Sequence, residues 1–141
     1  MPAQPSPSDA IMLVVVGAHM TGMPLNHELQ ALGAAFVRKA ATRPVYRLYE
    51  LAGTKPAKPG LLRVEEGEGA AIEVELWSLD AAGFGVFVSH IPPPLGIGTI
   101  ALEDGSWEKG FLVEAIGIRG ARDITEFGGW RSYKLNSAPD S

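Results

Sequence analysis

The chain has 141 residues, 46% of them apolar, and 12 basic residues against 16 acidic ones give a formal net charge of −4. That size and composition suit one domain with a real hydrophobic core, and scattered basic residues argue against a nucleic-acid or anionic-membrane surface. Cysteine is absent and histidine occurs only at His19, His27 and His90, which removes disulfide, thiolate and Cys-type zinc chemistry and leaves no ligand-spaced metal cluster.

Residues 1–10 carry three prolines and no basic residue. They read as a disordered leader on a cytoplasmic protein, because a secretory signal needs a charged start and an apolar core. No apolar run approaches the ~20 residues of a membrane span. The domain is expected over 11–134, with a flexible tail over 135–141. A continuous apolar run over 11–17 predicts a strand buried on both faces. It ends in Gly17-Ala18-His19-Met20-Thr21-Gly22-Met23-Pro24-Leu25-Asn26 and opens a helix over 25–33, where Leu25, Leu29 and Leu32 recur at helical spacing and Gly33 is the stop. At such a strand–loop–helix junction backbone N–H groups can converge on an anion. His19 within it is a candidate proton donor or acceptor near neutrality. The plainer alternatives are an ordinary tight connection and a hydrogen-bonded loop histidine. His27 reads as a solvated surface residue.

Strands over 34–41 and 45–51 flank the turn Thr42-Arg43-Pro44, and a loop over 53–60 leads to a short strand over 61–64. Ile72, Val74 and Leu76 alternate with Glu73, Glu75 and Trp77, which predicts a half-buried strand with both glutamates on its solvated face. Asp80 can cap a second helix running through Phe84, Phe87, Val88 and Ile91. The segment 92–98 is a proline-stiffened loop in which Gly96 and Gly98 leave room for a ligand, or simply a rigid crossover. Strands at 99–102 and 110–118 make a hairpin about Glu103-Asp104-Gly105-Ser106. Glu114, in a strand apolar at both parities, is expected to be buried or paired, with Lys109 or Arg131 as partner. Asp123-Ile124-Thr125-Glu126 has capping-box spacing, and Trp130-Arg131 reads mainly as packing. Some seven short strands, two or three helices and no βαβ alternation predict an α+β fold, a small mixed or antiparallel β-barrel with flanking helices.

Over residues 11–134 the chain resembles the C-terminal domain of allophanate hydrolase, within the γ-glutamyl cyclotransferase-like fold. The motifs that carry the likeness are the segment from Val15 to Asn26, Tyr46-Arg47-Leu48-Tyr49, Lys58-Pro59-Gly60-Leu61 and Ile72-Glu73-Val74-Glu75-Leu76-Trp77. Ile91-Pro92-Pro93-Pro94-Leu95-Gly96-Ile97-Gly98, Lys109-Gly110-Phe111 and the run from Asp123 to Tyr133 complete them.

The resemblance implies a pocket between the loop after the first strand and the proline-rich loop. In allophanate hydrolases an N-terminal amidase domain deaminates allophanate, and the C-terminal domain is associated with decarboxylating the N-carboxycarbamate product. It makes His19 the catalytic candidate. Ala18, Met20, Thr21, Gly22, Leu25 and Asn26 would bind the substrate, facing Pro94, Leu95, Gly96 and Ile97, with Glu114, Lys109 and Arg131 in support. The implied role is a metal-free, cofactor-free decarboxylation of a small carboxylated amide in urea and allophanate nitrogen metabolism. No amidase triad is present, so a separate amidase is the expected partner, and a homodimer would cover an exposed sheet edge. Two alternatives stand beside this: a non-catalytic ligand-binding or amidase-partner module, and cyclotransferase-type chemistry. The cyclotransferases place a general-base Glu just after the second helix, where this chain reads Phe87-Val88-Ser89-His90-Ile91. The third reading therefore requires a displaced carboxylate such as Glu114.

Overall fold

A computed structural model describes residues 10–136. The elements in order are β1 (Ile11–Val15), α1 (Asn26–Ala31), β2 (Ala35–Ala41), β3 (Tyr46–Glu50), β4 (Pro59–Arg63), β5 (Glu73–Leu79), α2 (Ala81–Ser89), β6 (Leu95–Ala101), β7 (Trp107–Val113), β8 (Arg122–Asp123) and α3 (Trp130–Asn136), with short 3-10 turns before and after β8. β1 lies at the centre of a five-stranded sheet of order β2-β5-β1-β7-β6. It runs antiparallel to β5, with Leu13 opposite Trp77, and parallel to β7, with Val14 opposite Gly110. A smaller antiparallel sheet, β4-β3-β8, packs over one face.

The apolar run of β1 has the cause expected of it. Val14 and Val16 enter a core with Tyr46, Leu48, Ile72 and Trp130 between the two sheets. Leu13 and Val15 point the other way, into a second core with Met20, Leu29, Trp77, Phe87 and Phe111 beneath α1 and α2. A strand with both faces covered cannot alternate, so it is apolar throughout. Among the described residues no helix is long and apolar enough to cross a membrane.

Several expectations are corrected. The α+β class and mixed pairing hold, but among the described residues the sheet is not a closed barrel: beyond their ends β2 and β6 are joined there by the single bridge Thr42–Leu102. The proline segment is shorter than expected, because β6 begins at Leu95 and pairs Gly96 with Leu112 and Ile97 with Phe111. The partner strand stops at Val113, and Ala115–Ile118 form a 3-10 turn. Asp80 does cap α2, accepting from the Gly83 N–H at 2.7 Å. The 123–126 segment makes no capping box; Asp123 Oδ1 instead accepts from the Thr125 N–H and hydroxyl. Helix α3 runs to Asn136, two residues beyond the expected domain edge. The remaining leader and tail expectations, over 1–9 and 137–141, lie outside the described residues.

Candidate functional site

The chain leaves β1 through Gly17, which passes so close to β4 that a Cβ there would stand 2.2 Å from the Pro59 ring. Only glycine fits. The loop is then wound on itself. The Met20 N–H donates to Gly17 O, Met23 N–H to Met20 O, and Leu25 N–H to Ala18 O. Asn26, buried at the start of α1, donates its side-chain amide to His19 O at 2.8 Å. Gly22 sits at φ 80°, a left-handed turn that glycine adopts without strain.

The loop does hold an anion, and it is the protein's own. Glu75 is only 1% exposed. Its Oε1 accepts from the Thr21 N–H at 2.9 Å, the Thr21 hydroxyl at 3.0 Å and the Trp77 indole N–H at 3.1 Å. Arg131, from α3, donates to Glu75 Oε2 at 3.1 Å and to Thr21 O at 2.8 Å. Glu75 is therefore not on a solvated face. Its face of β5 is covered by the loop and by α3, and the carboxylate is tolerated because its oxygens are saturated by donors and a countercharge. The expectation of a ligand carboxylate at the helix start meets the same fact. α1 has six residues, and the Asn26 and Glu28 N–H groups are already bonded to Met23 O and Leu25 O.

Beside this loop lies a cavity of about 460 Å³. Buried Val15, Val16, Phe87 and Phe111 form its floor, and exposed Glu28, Ala31, Val86, His90 and Pro92 its rim. His19 lines it, with 13% of its side chain exposed. The ring stacks on Phe111 at 5.4 Å between centroids and meets Phe87 edge-on at 5.0 Å. Its Nε2 lies 2.7 Å from Glu28 Oε1. Burial pulls the imidazole below its usual pKa; the bond to Glu28 opposes this, and the nearby Lys58 charge adds to the lowering. With Nε2–H assigned to the carboxylate, the neutral ring presents Nδ1 as an acceptor and the imidazolium presents it as a donor. Lys58, half-buried, is the other charged group of the lining.

Of the expected site residues, Ala18, His19, Leu25 and Leu95 line the cavity. Met20 is buried beneath the loop, Thr21 turns to Glu75, and Gly22 and Asn26 shape the turn without lining the cavity. Pro94, Gly96 and Ile97 also stay outside the lining; Pro94 O accepts the Glu114 N–H at 2.8 Å. Glu114 is exposed and paired with neither Lys109 nor Arg131, correcting the expectation of a buried or paired carboxylate. β7 ends before it, which leaves it exposed among the described residues. Lying outside the cavity, it also ends the cyclotransferase route drawn through that carboxylate. Lys109 is exposed and donates to Thr99 Oγ1. The residues that sequence reasoning missed are Glu28, Lys58, Phe87 and Phe111. Lys58 opens one of the motifs quoted above, but Glu28 stands nine residues from His19, a separation that no local pattern marks.

The Allophanate hydrolase C-terminal domain family model matches residues 11–135. A urea amidolyase of Lachancea kluyveri is 44% identical over 131 residues, covering 91% of this chain but only 7% of that protein. The chain thus spans a small part of the curated relatives it matches. Among solved structures, Kluyveromyces lactis allophanate hydrolase superposes with a TM-score of 0.87 at 41% identity, over 93% of this chain and 22% of that one. A uropathogenic E. coli-specific protein is 39% identical with a TM-score of 0.82, and the match covers 92% of this chain and 98% of that chain. A γ-glutamyl cyclotransferase, 9% identical with a TM-score of 0.57, shares the fold alone. The chain belongs to the allophanate hydrolase C-terminal domain family, on a mixed α+β fold with γ-glutamyl cyclotransferase-like neighbours.

Proposed function

We propose that this domain decarboxylates a small N-carboxylated amide, N-carboxycarbamate in the first instance, with His19 as the proton carrier. The observation that supports this best is the His19–Glu28 pair, 2.7 Å apart, set in a largely apolar cavity that also receives Lys58. In the reaction the bond between nitrogen and one carboxylate breaks. The electron pair stays on nitrogen, CO2 leaves, and a proton delivered from the His19 imidazolium through Nδ1 completes carbamate. The imidazole then recovers its proton from solvent. Glu28 orients the ring and restores part of the basicity that burial removes. Lys58 meets the carboxylate that is retained, and the apolar floor favours a charged carboxylate becoming neutral CO2. Ala18, Leu25 and Leu95 shape the space; Met20, Thr21, Gly22 and Asn26 hold the loop that carries His19; Pro94, Gly96 and Ile97 set Leu95.

The test is the rate of CO2 release from allophanate by a separately purified amidase, with and without this protein. Because the amidase product decays unaided, rates are compared rather than yields. Acceleration that disappears in His19→Ala supports the assignment, and an unchanged rate refutes it. A second reading, a non-catalytic module that holds a small carboxylate for an amidase, is favoured by the relatives in which this domain is a fraction of a longer chain. Saturable carboxylate binding without acceleration would select it.

A further inference from the structure

N-carboxycarbamate has no C–H bond, yet most of the cavity is hydrocarbon. Its 460 Å³ lies within the range of about 300–1,000 Å³ that holds drug-sized ligands. The charged groups gather on one side, and His90 stands exposed at the rim with Nδ1 2.9 Å from Val86 O. His19 and Glu28 touch, and Lys58 lines the same cavity. Most of the rest of the lining, Leu32, Val86, Phe87, Ile91 and Leu95 among it, is hydrocarbon that offers a polar ligand no hydrogen bond. Val86 in particular is 46% exposed at the rim, an apolar side chain that a ligand could cover.

We infer that the site takes carboxylates bearing an apolar substituent of several carbons, the carboxylate seated by His19 and Lys58 and the substituent laid along α2 and Leu95. This goes beyond the substrate proposed above and rests on the same cavity. A ligand of this class buries hydrocarbon against the walls, which a dicarboxylate on one nitrogen cannot do.

Isothermal titration of the protein with propionate, butyrate, pentanoate and hexanoate, with malonate beside them, tests it. Affinity should rise roughly fourfold for each added methylene. Ala31→Phe, at the exposed rim, should cut hexanoate affinity at least fourfold more than propionate affinity. Val86→Ser, also exposed, should flatten the series in the same direction without depending on how the larger side chain is accommodated. A flat series, or no alkanoate binding at all, overturns the inference. The CO2-release assay separates the two claims. Acceleration with a flat series removes only the apolar substituent, whereas a rising series without acceleration removes only the decarboxylation.

Discussion

The two faces of the five-stranded sheet are built to different standards. Between the sheets, Tyr46, Leu48, Ile72 and Trp130 are each at most 1% exposed, and hydrogen bonds tie this core to the surrounding backbone. The Tyr46 hydroxyl accepts the Ala101 N–H, and Thr125 Oγ1 accepts the Leu48 N–H. Under α1 and α2 the packed core gives way to the cavity at Phe87 and Phe111, where His19 stands at its edge. The filled face gains the contacts that a void forfeits. The open face keeps room for a ligand beside a titratable ring. Substitutions should therefore read out as stability on one face and as binding or turnover on the other.

The largest effect that could break this contrast is Trp130→Ala. It should lower unfolding free energy by about 3–5 kcal/mol, measured by urea denaturation; a loss under about 1 kcal/mol would mean that the filled face is not the stabilising one. His19→Ala should instead cost about 10²–10⁴-fold in the rate of CO2 release while circular dichroism and the denaturation midpoint stay close to wild type. Next comes Glu75→Gln, which joins the faces' two roles. It removes the charge that Arg131 and Thr21 converge on, with an expected loss of about 1–3 kcal/mol, and turnover should fall as the His19 loop loosens. Stability lost with turnover untouched would show that Glu75 anchors α3 alone.

A pH series sharpens the contrast further. Because burial lowers the folded-state pKa of His19, the unfolded imidazole binds a proton that the folded one refuses just below pH ~6.5. The contribution is therefore present above that pH and is lost as pH falls through the window toward the folded value. Unfolding free energy should decline over that interval in wild type and less in His19→Gln. Proton delivery has the opposite demand, so His19-dependent turnover should climb toward acid in the same range. Smallest of all, Glu114→Ala and Lys109→Ala should each stay within about 0.5 kcal/mol, since both residues are exposed and neither lines the cavity.

What could be read directly from the sequence was local. Asp80 lies three residues before the N–H it caps, the Asp104-Gly105 turn joins adjacent strands, and the unbroken apolar run of β1 reports burial on both faces. The Glu75 error shows the boundary. Alternation along β5 says that its two faces differ, but not what lies over the second one. That cover comes from Thr21, 54 residues upstream, and Arg131, 56 residues downstream. Glu114 is the converse case, since apolar neighbours suggested a strand and the chain had already turned away at Val113.

By itself, then, the sequence determined the α+β character, the strand–loop–helix that carries His19 and, through its motifs, the family. Caps, turns and periodic burial act over a few residues and so leave a readable spacing. Only the tertiary structure decided that the sheet stays open, that the loop's anion is Glu75, and that His19 pairs with Glu28 in an apolar cavity that Lys58 also lines. Those are facts of long-range packing. An ion pair or a void depends on which distant surfaces are brought together, and no local spacing encodes that.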